Sequence, residues 1–255
     1  MARSHLVVPD SHAHPEFGNE RSDWLGQLIL DLRPDVLINI GDQGDFSSLA
    51  SYDRGKRSFH GKSYKRDLDA FLDFSERMWE PIRKAKKKRP YSIFLEGNHE
   101  ERIERALDLS PELVGTIGFN DLDLKRNYDE VIRYEGDVPG IKTIDGVSYA
   151  HYFISGIMGR AISGEHPAYT LLAKKHVSCT QGHTHTLDYS VRPDVHGRKI
   201  HGLVCGVFQD YRSPWAGARN DLWSPCVIFK REVEDGQYDL EIISLDSLRK
   251  EYGRG

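Results

Sequence analysis

Cysteine is scarce in this chain, with only Cys179, Cys205 and Cys226 among 255 residues. An odd number that small, with no C-x-x-C pair, excludes a disulfide framework and points to a reducing cytoplasm. Long apolar runs are missing as well. No stretch approaches the roughly 18 residues of a membrane span, and "MARSHLVVPD" offers only a short apolar run before Pro9, too little for the core of a secretory leader. A dominant charge is also lacking. The 35 Lys and Arg against 39 Asp and Glu leave a net charge of −4, so the surface is not given over to nucleic acid and any polyanion must be met by a local patch. There is no internal repeat and no low-complexity tract. The 38% of hydrophobic residues suffice for one large core, and residues 1–255 read as a single domain.

Short apolar strands alternate with amphipathic segments through the first hundred residues, which predicts an α/β layer architecture. "HLVV" (5–8), "DVLINI" (35–40) and "YSIFLE" (91–96) read as buried strands. A helix is expected from Ser22, with Trp24, Leu25, Leu28, Ile29 and Leu32 on one stripe and Pro34 as its stop. Residues 63–89 carry Leu68, Phe71, Leu72, Met78, Trp79 and Ile82 at helical spacing, broken by Pro81, so one kinked helix or two abutting ones are expected. Past Asp121 the period changes to two. "IKTI" and "VSYAHYF" flank Asp145-Gly146 as a hairpin, and "VSCTQG", "LDYSVRP", "GLVCGVF", "PCVIFKREV" and "YDLEIISL" read as further strands, the last two turning at Asp235-Gly236. The loops at 43–62 and 153–166 are long enough to suggest function.

Polar side chains able to bind metals or move protons recur where these strands end. Asp10 and His12 follow the first, Asp42 and Asp45 the second, and Asn98 and His99 the third. His151 lies in the strand "YAHYF", and His183 and His185 follow "VSCTQ". Any one of these is an ordinary loop or core feature. Open α/β sheets collect ligands at the carboxyl ends of their strands, so five such elements in order are expected to converge.

These five elements resemble the signature of the calcineurin-like metallophosphoesterase family, D-x-H, G-D-x-x-D, G-N-H-[DE], a lone H and G-H-x-H. They stand here as "DSH" (10–12), "GDQGD" (41–45), "GNHE" (97–100), His151 and "GHTH" (182–185). The resemblance spans residues 10 to 185 and implies a four-layer α/β/β/α sandwich of two packed mixed sheets. It implies two divalent cations, with Asp10, His12 and His185 on one, Asn98, His151 and His183 on the other, and Asp42 bridging. It also makes His99 the acid serving the leaving group, with Asp45 orienting it and keeping it protonated. Imidazole, carboxylate and amide donors without thiolate suit manganese, the expected ion, or iron, zinc, cobalt or nickel. The implied reaction is hydrolysis of a phosphomonoester or phosphodiester. Glu100 reads as a favourable charge at the start of the helix "EERIERAL".

The stretch "GDFSSLASYDRGKRSFHGKSYKRDLDAF" is similar to the matching segment of bacteriophage-encoded phosphoesterases, which would place the chain in a host cytoplasm and favour a nucleotide or nucleic-acid substrate. Arg54, Lys56, Arg57 and His60 in the first long loop, with Arg160 and His166 in the second, are candidate phosphate contacts or solvated loop charge. Phe208, Tyr211, Trp215 and Trp223 either stack a base or pack in the core, and "RKAKKKR" either contacts nucleic acid or caps a helix. Two rival readings are an amidohydrolase-type barrel built on His12-x-His14 and a catalytically silent scaffold of the same family fold.

Overall fold

Alternate side chains of the buried strands face two different cores, and that division sets the layers. In the structure, a computed structural model that describes residues 1–253, the first half runs β1 (Arg3–Val8), α1 (Glu20–Leu32), β2 (Val36–Asn39), α2 (Tyr64–Lys84), β3 (Tyr91–Leu95), α3 (Arg102–Leu109), α4 (Leu124–Asn127) and β4 (Glu130–Ile132). The second half begins with β5 (Lys142–Ile144), β6 (Val147–Ala150), β7 (Ile154–Ser155), β8 (Arg160–Ala161), α5 (Pro167–Lys175) and β9 (Cys179–Gln181). It closes with β10 (Leu187–Pro193), β11 (Lys199–Cys205), β12 (Cys226–Glu234), β13 (Gln237–Ser244) and α6 (Leu245–Tyr252).

One sheet has the order β13-β12-β1-β2-β3-β4, with β1 to β4 parallel and β12 and β13 antiparallel to their neighbours. The other has the order β10-β11-β9-β6-β5, with β6, β9 and β11 parallel. Leu6, Val8, Leu37 and Phe94 turn outward from the first sheet onto Leu25 of α1, Phe71 and Met78 of α2 and Leu248 of α6. Their chain neighbours Val7, Ile38, Ile93 and Leu95 turn inward and meet Val147, Tyr149, Leu203 and Cys205 of the second sheet. Ala150, Cys179 and Val204 face the far side, where Leu171 of α5 covers them. The result is helix, sheet, sheet, helix, the α/β layering that the sequence pattern predicts in the sandwich form that the resemblance implies. An eight-stranded barrel on His12-x-His14 is thereby excluded.

Several boundaries differ from expectation. The first helix starts at Glu20, and Ser22 lies inside its first turn, its hydroxyl donating to the Asn19 carbonyl at 2.6 Å. The segment after Ser63 is one helix, because the buried face of Phe74, Met78, Trp79 and Ile82 continues past Pro81 and outweighs one lost ladder bond. His151 stands just beyond β6 rather than within it, like the other candidates. Both Asp-Gly turns have positive φ at both residues (50° and 80°; 50° and 81°), the geometry of tight hairpins, and Gly236 donates its N–H to the Asp145 carbonyl at 2.8 Å. Among the described residues no helix is long and apolar enough to cross a membrane.

Between the sheets, Lys230 of β12 is fully buried, donating to Thr180 Oγ1 at 2.6 Å under the rings of Tyr149 and Tyr238. Burial pushes its ammonium down from 10.5 to about 7. The folded chain then binds fewer protons than the unfolded one between those values, so stability rises with pH across that window and the penalty is complete below it. Lys230→Met is expected to raise the melting temperature at pH 6 and to flatten its rise between about pH 7 and pH 10. Thermal melts across that range test this, and an unchanged slope contradicts it.

Candidate metal centre

Five strands of the two sheets end at one rim, and each hands a short loop to the same point. Asp10 and His12 leave β1, Asp42 leaves β2, Asn98 and His99 leave β3, His151 leaves β6, and His183 and His185 leave β9. The backbone there is strained. His12, Asp42, His183 and His185 all have positive φ, between 45° and 68°, a region that non-glycine residues occupy only where surrounding structure enforces it. Two glycines are required by close approach. A methyl on Gly97 would overlap the Asp42 carboxylate, and one on Gly182 would overlap Asp10 Oδ1.

Two groups of side chains converge as candidate ligands, Asp10 with His12 and His185, and Asp42 with His151 and His183, and all but His183 are buried. In the first, the Nε2 atoms of His12 and His185 face one another at 3.0 Å, and His185 Nε2 is 3.2 Å from Asp10 Oδ2. Asp10 Oδ1 and His12 Nδ1 are buried with no hydrogen-bond partner. In the second, His151 places Nδ1 at 3.0 Å from the Ile40 carbonyl, so that nitrogen carries a proton and Nε2 is the atom turned toward the site. That Nε2 lies 2.9 Å from Asn98 Oδ1, 3.2 Å from Asp42 Oδ2 and 3.3 Å from His183 Nδ1. Imidazole nitrogens and side-chain oxygens therefore gather around two buried carboxylates, Asp10 and Asp42, and the arrangement suits positive charge. Burial works against an imidazolium at His151, yet Asp42 raises it to about 9, whereas burial and His151 together push His183 down to about 4. A cation fits both groups, and Asp42 also clusters with His12 and His99, which puts its carboxylate between them.

His99 differs from its expected setting. Its Nδ1 donates to the backbone carbonyl of Asp45 at 2.6 Å, while the Asp45 carboxylate is 3.5 Å away and equally far from His12 Nδ1. Its Nε2 receives Arg102 Nη2 at 3.0 Å. Burial first, and then Arg102, lower His99 to about 3, while the charges of Asp42 and Asp45 oppose that fall. Arg102 is itself 7% exposed, donates to the Asp45 carbonyl at 2.8 Å and to the Tyr52 hydroxyl at 3.1 Å, and has no carboxylate partner among the described residues. Sequence reasoning passed over it within "EERIERAL". Its place one helical turn beyond His99 was the available signal.

Glu100 does more than favour a helix start. Its buried carboxylate accepts N–H groups from Asp42 at 2.9 Å, Gly44 at 3.0 Å and Gly97 at 3.0 Å, tying the loop after β2 to the loop after β3. Burial and the Asp42 charge raise it to about 7, and the backbone donors oppose that rise. Arg21, also buried, donates to the carbonyls of Ser11 at 2.8 Å and Phe208 at 3.0 Å and so fastens the Asp10–His12 loop to the segment after β11.

Of the other candidates, Lys56 and His60 line a cavity beside Asp45, whereas Arg54, Arg57, Arg160 and His166 are exposed and outside it. Phe208 is core, packed edge-on to Phe74. Trp223 stands edge-on to His185 at 4.4 Å, and Tyr211 and Trp215 line the cavity. The basic run lies around the amino end of β3, away from the strand exits, with Arg83, Lys84 and Arg89 paired to Glu76, Glu80 and Asp129.

No family model and no curated protein matches the chain. One solved structure aligns over 96% of this chain and 100% of its own at 11% identity and a TM-score of 0.40. The crystal structure of TT1561 of Thermus thermophilus aligns over 95% of this chain and 99% of its own, at 9% identity and a TM-score of 0.36.

Glu100→Gln replaces one carboxylate oxygen by an NH2 group that opposes at least one of the three backbone donors. The expected cost is about 1–3 kcal/mol of stability together with weaker cation binding, read by urea unfolding and metal titration. Wild-type values in both measurements would remove the clamp role.

Proposed function

We propose that this chain is a metal-dependent phosphoesterase of the calcineurin-like type, hydrolysing a phosphomonoester or phosphodiester of nucleotide character. The supporting observation is the meeting of two acceptor-rich side-chain groups around one carboxylate, Asp42, beside the His99–Arg102 pair. Asp10, His12 and His185 would hold one cation, Asn98, His151 and His183 the other, and Asp42 both. Two such ions, manganese by the donor set, would supply Lewis acidity toward phosphoryl oxygens and a water of lowered pKa.

The protein's own contribution is position and charge. Asp42 Oδ1 accepts the His99 N–H at 2.8 Å, which fixes the carboxylate plane and leaves Oδ2 directed at His151. Asp10 Oδ2 is likewise held by the His183 N–H at 2.8 Å. His99 keeps one proton on Nδ1 against the Asp45 carbonyl; carrying a second on Nε2 it would pass that proton to the leaving oxygen and return neutral, while the Arg102 guanidinium beside it would stabilise the charge that develops there. The presence of every ligand and of this pair favours an enzyme over a silent scaffold.

Metal analysis followed by turnover of p-nitrophenyl phosphate and bis-p-nitrophenyl phosphate tests the reading. Asp42→Ala and His151→Ala are expected to lose both metal and activity. His99→Ala is expected to keep the metal and slow turnover by two or more orders of magnitude. Undiminished hydrolysis of esters with poor leaving groups by His99→Ala would remove it from that role, and a metal-loaded wild type inert toward every phosphoester would overturn the proposal.

A further inference from the structure

A cavity of about 500 Å³ opens beside the metal centre on its Asp45 side. That volume falls within the usual range of small-ligand sites. Its inner wall includes Asp45 and His14, so it is continuous with the cluster around His12 and His99. Its aromatic wall is Phe17 stacked on Tyr211, with ring centres 3.9 Å apart and planes 10° from parallel. The Tyr211 hydroxyl donates to the His12 carbonyl at 2.6 Å, which fixes this wall to the loop bearing a candidate ligand. Trp215 lines the same cavity and remains 64% exposed. A ring of that size left to solvent at the edge of a cavity offers a ready stacking face.

The charges around the cavity narrow what it takes. Lys56, Lys62 and Arg66 are balanced by Glu16, Asp45, Asp53 and Asp67. Asp53 is bound by Lys56 at 3.1 Å and by Lys62 at 3.2 Å, so both lysines already face a carboxylate. The lining therefore has no cationic excess with which to meet a nucleic-acid backbone or a polyphosphate. It suits an uncharged planar group with polar edges.

We propose that this cavity holds the nucleoside part of a nucleotide substrate, its base against Trp215, while the phosphate lies at the metal centre. The phosphate half rests on the phosphoesterase reading above, and the nucleoside half does not. Adenosine, which has no phosphate, is expected to bind the metal-free protein in calorimetry. Trp215→Ala is expected to weaken that binding by about 5- to 150-fold, the range for losing one stacking platform. With manganese added, the ratio of kcat/KM for adenosine monophosphate to that for glycerol phosphate should fall by a similar factor in the variant. If wild type turns over both esters but does not bind adenosine, or if Trp215→Ala leaves binding and ratio unchanged, the nucleoside subsite is wrong and the metal hydrolase stands. If adenosine binds and Trp215→Ala abolishes it while no phosphoester is turned over, the subsite stands and the hydrolase reading is wrong.

Discussion

The local structure at the rim is organised around a close gathering of imidazole nitrogens and side-chain oxygens that suits positive charge. His12 and His185 point ring nitrogens at each other at 3.0 Å, and His151 Nε2 faces an amide oxygen, a carboxylate oxygen and another imidazole nitrogen within 3.3 Å. Such an assembly is unfavourable unless positive charge sits within it. A proton on His151, raised to about 9 beside Asp42, meets part of that need. A cation meets it more fully, because it can also engage the partnerless Asp10 Oδ1.

Holding these atoms together requires the rest of the fold. Two sheets share an apolar interior and release their parallel strands at a common rim, which brings residues as distant in sequence as Asp10 and His183 within 2.8 Å. The four positive-φ candidates are strained positions that persist because neighbouring contacts over-determine them. Glu100 holds the Asp42 N–H together with those of Gly44 and Gly97, and Arg21 holds the Ser11 carbonyl beside His12. The framework thus holds candidate ligands in place before any ion arrives, the condition under which binding affinity is not spent on ordering loops.

Much of this was legible in the sequence for a physical reason. Polar ligand-competent residues at strand exits stand out against apolar strands, and the two Asp-Gly turns declare their hairpins through conformational preference. An α/β layer architecture followed from period-two and helical spacing, and the sandwich of two packed sheets from the resemblance of the five polar elements. Other features were hidden because their meaning is tertiary. Arg102 and Glu100 look like ordinary helix charges until the fold turns them toward His99 and the backbone of Asp42 and Gly44. Arg54, Arg57 and Arg160 drew attention by charge alone, and charge in a loop does not specify direction. The division among Phe208, Tyr211, Trp215 and Trp223 into core, cavity and ligand-backing roles depends on contacts that no spacing encodes.

The most direct measurement is the stability of the purified, chelator-treated protein as manganese is added. A group of acceptors built around missing charge predicts that unfolding free energy climbs with the logarithm of manganese concentration, by about 2.7 kcal/mol per site at a hundredfold excess over Kd, with a limiting slope that counts two ions. An unfolding free energy that stays the same from chelator to millimolar manganese would contradict the account at its foundation.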